Sequence, residues 1–179
     1  ECRQYMHRQM YEECLHLHTV VHVCDSLNLP IAEIYEAYQN IPSIKAKDDF
    51  FISNTKEIYA DDFDIETDKG KQVFLKNLIV YYMICEGLLF YSGFVALLTL
   101  SRLNKMRGLG EQIQYTLRDE NLHVTFGSKL IKTIISQYPQ VWTDEFKQCV
   151  TDMFSKACEL ESAFAQEMLP DGILGLNSK

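Results

Sequence analysis

Glu13-Cys14-Leu15-His16 and Glu120-Asn121-Leu122-His123 decide the fold of this chain. Each sets a carboxylate and an imidazole three residues apart, which on a helix places both on one face, a turn from each other. Of the 5 histidines in the sequence, these two have glutamate three positions upstream. One such unit has little weight. Two of them, with a lone glutamate on a further helix, form the ligand pattern of a two-metal carboxylate site inside a helical bundle. The lone glutamate is Glu86, in a nearly apolar run from Asn77 to Leu100. A carboxylate buried there needs a positive partner, and a metal ion is the obvious one.

Working outward, the helical period extends on both sides of each motif. Helices are expected over about 2–27, 31–39, 43–60, 71–103, 111–137 and 144–169, with an acidic loop at 61–68. Gly108 and Gly110 read as helix-end residues in a break at 105–110, and Pro139 stops the helix that carries Glu120. Thr143 is placed to cap the last helix, with Asp144 and Glu145 favoured by the dipole of its first turn. No strand alternation competes, and the doubled Glu-x-x-His is the one internal repeat. The expectation is an all-α helical bundle over a single domain, 1–179. Both ends read as cut from a longer protein, because the chain begins inside a helical pattern without Met.

The apolar run has the length of a membrane span. Glu86 near its middle argues against lipid, and its amphipathic neighbours suit the central helix of a multi-helix domain. Composition agrees: 179 residues suffice for one substantial core, and 8 Gly with 4 Pro fit a helical protein. A formal net charge of −8 offers no basic stripe for nucleic acid. The 6 cysteines fall within helical patterns and no secretory signal precedes them, so free thiols and a cytoplasmic location are expected.

Stepping four and seven residues along ideal helices extends the ligand stripes. From Glu13 the stripe reaches Val20, from Glu86 it reaches Phe90 and Phe94, and from Glu120 it runs back to Thr116. These four are expected to line a small, mostly apolar pocket beside the metals, shielding an oxidising species. Asp119 is placed to accept the distal N–H of a ligand histidine, and Arg118 to balance its charge. His7, His18 and His22 read as surface or satisfied core residues, and His18 lies about 140° from the Glu13 stripe. Glu12, Asp25, Glu33 and the acids of 61–68 read as solvated faces. Tyr81 and Tyr82, and Phe90 with Tyr91, read as core packing.

At these residues the chain resembles the small subunit of class I ribonucleotide reductase in its bacterial form. The resemblance rests on Tyr11-Glu12-Glu13-Cys14-Leu15-His16, on Glu86-Gly87-Leu88-Leu89-Phe90-Tyr91-Ser92-Gly93-Phe94, on Arg118-Asp119-Glu120-Asn121-Leu122-His123, and on Ile173-Leu174-Gly175-Leu176-Asn177. It implies a ferritin-like, homodimeric subunit that uses oxygen to make an oxidant and passes a radical to a separate large subunit. Glu13, His16, Glu86, Glu120 and His123 match five of six metal ligands, Asp119 the carboxylate of the radical-transfer route, and Phe90 and Phe94 the apolar shell of the radical site. The sixth ligand, the tryptophan of that route and the docking tail would lie outside this sequence. Val20 stands where most of the family has its radical tyrosine, and Thr116 adds a hydroxyl to the pocket.

An aliphatic side chain has no accessible one-electron oxidation. The resemblance is therefore nearest to the chlamydial-type subgroup that lacks this tyrosine, with the oxidant kept on an Fe/Fe or Mn/Fe pair. Two other readings compete: a related ligand-binding oxidase acting on its own small molecule, and a non-catalytic structural helical subunit.

Overall fold

The computed structural model describes residues 1–178, with the Ile31 side chain outside that description. Among the described residues, seven α-helices form the bundle: α1 (Cys2–Ser26), α2 (Ile31–Asn40), α3 (Pro42–Thr55), α4 (Asp68–Leu78), α5 (Tyr91–Arg102), α6 (Arg107–Gln137) and α7 (Asp144–Met168). Between α4 and α5 runs a π-helical segment, Ile79–Leu89, and short 3-10 turns cover Lys56–Tyr59 and Pro139–Val141. No strand occurs among the described residues; Ile173 and Leu176 form an isolated bridge.

Helix ends follow their local chemistry. Thr67 accepts a bond from the Gly70 N–H at the start of α4, and Thr143 accepts one from Phe146 N–H at the start of α7. Pro42 occupies the first turn of α3, where its missing N–H is no loss. The break before α6 is shorter than the sequence suggests. Met106, left-handed at φ 50°, caps α6, so Gly108 and Gly110 lie within its first turn. At Gly110 a side chain would overlap Ser101 of α5, so this glycine permits the two helices to approach closely.

The expected single helix over 71–103 is the largest departure. It begins earlier, widens to π geometry over the segment that contains Glu86, and breaks at Phe90. An apolar-all-round run has no single face to keep in register, so pattern does not oppose the wider winding. The segment feeds both cores. Ile79 and Tyr82 pack with Leu75, Leu78, Ile131, Val141 and Phe146, while Val80, Ile84 and Leu89 pack with Met153 and Ala157. Helices α3, α6 and α7 therefore pack around it. By length and composition alone the stretch Asp68–Arg102 could cross a membrane.

A partly buried ion pair holds the break after the π segment. Lys47 of α3 donates to the Leu89 carbonyl and to Glu161 Oε2, at 2.8 Å. Glu161 Oε1 accepts the Ser92 N–H, 2.8 Å away, at the start of α5. One ion pair thus serves the last carbonyl of one helix and an early N–H of the next.

Candidate metal centre

Three segments converge on one point. From α1 come Gln9, Glu12, Glu13 and His16; from the π segment Tyr81, Tyr82 and Glu86; from α6 Asp119, Glu120 and His123. Glu120 lies between the two imidazoles, its Oε1 3.3 Å from His16 Nδ1 and its Oε2 3.3 Å from His123 Nδ1. Glu13 does the same from α1, with Oε2 3.5 Å from His16 Nδ1 and Oε1 3.6 Å from His123 Nδ1. Two carboxylates therefore each direct one oxygen toward either histidine. Glu86 joins the His123 side, its Oε1 3.7 Å from Nδ1.

The distal nitrogens are held in a crossed arrangement. His16 of α1 meets Asp119 of α6 (Nε2 to Oδ2, 3.1 Å), and His123 of α6 meets Glu12 of α1 (Nε2 to Oε2, 3.0 Å). Each imidazole thereby turns its Nδ1 inward. Around them, the Tyr82 hydroxyl donates to Gln9 Oε1 at 3.0 Å, and Gln9 Nε2 donates to Glu86 Oε1 at 3.0 Å. The Tyr81 hydroxyl donates to Glu13 Oε1 at 3.3 Å.

These residues fit a metal. Donor atoms of Glu13, Glu86, Glu120 and His123 lie within 4.8 Å of one another. Glu86 Oε2, Glu120 Oε2 and His123 Nδ1 are buried with no hydrogen-bond partner. Native proteins rarely leave such atoms unsatisfied, and here three of them surround one point. Carboxylate oxygen with imidazole nitrogen is a donor set suited to iron and manganese.

The metal-free electrostatics describe the same need for positive charge. Burial, and then the charge of Glu120, pushes the Glu86 carboxyl up to about 8. Hydrogen bonds to Glu120 and Glu13 lift His16 to about 10. Burial opposes charge on His123, but the adjacent Glu120 and Glu12 carboxylates win and raise it to about 9. Burial likewise works against the Glu120 carboxylate, yet His123 and His16 hold it below the usual range. Without ions, protonated imidazoles take the place of cations. Cys85 beside Glu86 is pushed up to about 12 by burial and stays a thiol; all six cysteines are free.

The five candidate ligands and Asp119 are brought together. Glu12 corrects the expectation of a solvated face: it is 2% exposed, bonded to Arg8 on one oxygen and His123 on the other. The signal was readable, since an acid precedes the glutamate in both motifs. Val20 is 54% exposed and Phe90 39%, while Phe94 and Thr116 are half-buried. The four do not close into one pocket among the described residues. Four-residue steps from Glu86 presume 3.6 residues per turn, and the π winding followed by the break at Phe90 voids that count. Phe90 instead borders a hollow with Lys47, Cys85, Leu89 and Phe164, its ring 5.9 Å from that of Phe94. Gln9, one turn before Glu13, and Tyr81, five residues before Glu86, were missed as site residues. Only a π register reveals that Tyr81 shares a side with Glu86.

Comparison with known proteins adds independent findings. A family model described as "Ribonucleotide reductase, small chain" matches residues 1–179. A ribonucleoside-diphosphate reductase subunit beta of Chlamydia pneumoniae is 47% identical over 178 residues, 99% of this chain and 51% of that protein. One of Halalkalibacterium halodurans is 34% identical over 170 residues, 93% of this chain and 47% of its own length. A crystal structure assigned to class I ribonucleotide reductase from Bacillus halodurans superposes with a TM-score of 0.85 at 31% identity, covering 98% of this chain and 60% of that one. The chain thus spans about half the length of the curated relatives it matches.

Proposed function

The chain belongs to the small-chain family of ribonucleotide reductase, with that family's ferritin-like helical fold, and on this premise we propose that it forms the oxidant-generating part of a ribonucleoside-diphosphate reductase. The observation that supports this best is the pair Glu13 and Glu120, each turning separate oxygens to His16 and His123. Two ions, Fe/Fe or Mn/Fe, would supply oxygen activation and a one-electron oxidising equivalent when bound.

The side chains prepare that chemistry. Glu13 and Glu120 would serve both ions, and the His123 side has Glu86 as a further carboxylate. The His16 side has no such counterpart among the described residues, which agrees with a sixth ligand, Asp or Glu, from an upstream helix. Gln9 fixes one Glu86 oxygen, and Tyr82 fixes Gln9. Asp119 holds His16 in its Nδ1-inward pose and would couple it to the radical-transfer route. Val20 cannot take up a one-electron oxidation, so the oxidising equivalent would stay with the ions. The whole protein would act in the cytoplasm as a homodimer. It would pass the oxidant to a large subunit that reduces ribonucleotides to deoxyribonucleotides.

The test uses the full-length protein loaded with Fe(II) and Mn(II), exposed to oxygen and assayed with its cognate large subunit. Deoxyribonucleotide formation with a metal-centred EPR signal is expected. Turnover without the large subunit would favour the ligand-binding oxidase, and failure to bind metal the structural subunit. A tyrosyl doublet that vanishes in Tyr81→Phe would move the oxidant to the phenol bonded to Glu13.

A further inference from the structure

Glu12 is a buried carboxylate with both oxygens engaged. Oε1 accepts from Arg8 Nε at 2.6 Å, one helical turn earlier, and Oε2 meets His123 Nε2 at 3.0 Å. His123 is fully buried, while the Arg8 side chain is 66% exposed. The three side chains form a line from solvent to the metal centre. Asp119 plays the matching part for His16, but no Arg or Lys forms an ion pair with it among the described residues; Arg118 lies over the Tyr115 ring, 5.4 Å from its centroid.

A buried carboxylate is stable only if paired, and a carboxylate behind a metal-binding imidazole fixes the ring's tautomer and orientation. Both conditions meet in Glu12. With its Nε2 proton directed to Glu12, neutral His123 would offer its Nδ1 lone pair to an ion, and that atom is buried, unpartnered and 3.3 Å from Glu120 Oε2. We infer that Glu12, clamped by Arg8, is the positioning residue for His123, so that each metal position has its own carboxylate: Asp119 for the ion at His16 and Glu12 for the ion at His123. This rests on the two-metal reading above. It gives the motif on each helix a second duty, since its leading acid serves the histidine of the other helix.

The inference predicts selectivity between the two ions. Full-length protein is titrated anaerobically with Mn(II) alone and with Fe(II) alone, following bound manganese by EPR and iron by calorimetry. The wild type is expected to take up two ions. Glu12→Gln keeps one at wild-type affinity and binds the other about 10–100-fold more weakly. Asp119→Asn weakens one ion as well, and the double variant weakens both. Arg8→Gln, a change at an exposed side chain with little risk to folding, weakens the same ion as Glu12→Gln by a smaller factor, and Arg8→Lys recovers it. Melting of each metal-free variant separates loss of position from loss of fold. Glu12→Gln binding both ions like the wild type overturns the inference and leaves the two-metal reading standing; so does equal weakening of both ions. Arg8→Gln indistinguishable from wild type overturns the clamp. A wild type that binds no ions overturns the two-metal reading as well, before any variant is needed.

Discussion

Glu120 directs one oxygen to each histidine, whereas Glu86 is near His123 alone, and the two should differ when removed. Glu120→Ala is expected to abolish binding of both ions, and Glu86→Ala to leave about one per chain, as read by metal analysis after anaerobic loading. Equal losses from the two variants would contradict the bridging role. The same residues set the pH response of the metal-free protein. Folded Glu86 keeps its proton to about 8, but an unfolded chain releases it near 4.5, so the folded state binds more protons in that window. Stability therefore falls as pH rises through it. His16 and His123, lifted from 6.5 to about 10 and about 9, act in the same direction. Their contribution is complete below about 6.5 and is lost as pH climbs through the raised values. Metal-free protein should melt higher at pH 6 than at pH 9. A melting temperature that stays level or increases over this range would show that these groups are not coupled as the geometry has them.

Among the elements, the π segment places Glu86, and the sequence does not disclose it. The Glu-x-x-His units were legible because both lie on ordinary helices, α1 and α6, where a spacing of three fixes a shared face. Glu86 was legible as a lone charge in an apolar run. Its neighbours Tyr81 and Phe90 were not, because an apolar run carries no periodicity from which π winding could be read. The larger departures from expectation lie between Ile79 and Phe90 and at the Met106 turn, and the helix expected over 43–60 ends at Thr55 in a 3-10 turn. Packing against α6 is tight along this stretch. At Gly127 a methyl group would overlap the Tyr82 ring, which in turn orients Gln9 and Glu86. Gly127→Ala is expected to destabilise the protein by about 1–3 kcal/mol. Urea denaturation measures this, and a change below about 0.5 kcal/mol, ordinary for a surface substitution, would mean the ring gives way freely.

Across residues 1–178, attachment is uneven. The π segment, α3, α6 and α7 share apolar cores, but the buried residues of α1 are Gln9 and Glu12, both polar. Met10, Tyr11, Leu17 and Val20 on the same helix are exposed. Beyond the stacked Tyr5 and Phe126 rings, 3.8 Å apart, α1 is tied down chiefly at Gln9, Glu12, Glu13 and His16. A centre that binds metal is thus also a rivet. Ions gripped by Glu13 and His16 on one side, and by Glu86, Glu120 and His123 on the other, would fasten a loosely seated helix to a firmly packed body. Chelation should then loosen α1 first. Amide hydrogen exchange in the 179-residue chain is expected to rise over residues 2–26 on metal removal, while α6 and α7 keep their protection. Equal loss of protection everywhere would mean the metals stabilise the molecule as a unit. If α1 loosens alone, the ions that would hold the oxidant would also decide whether its enclosure is latched.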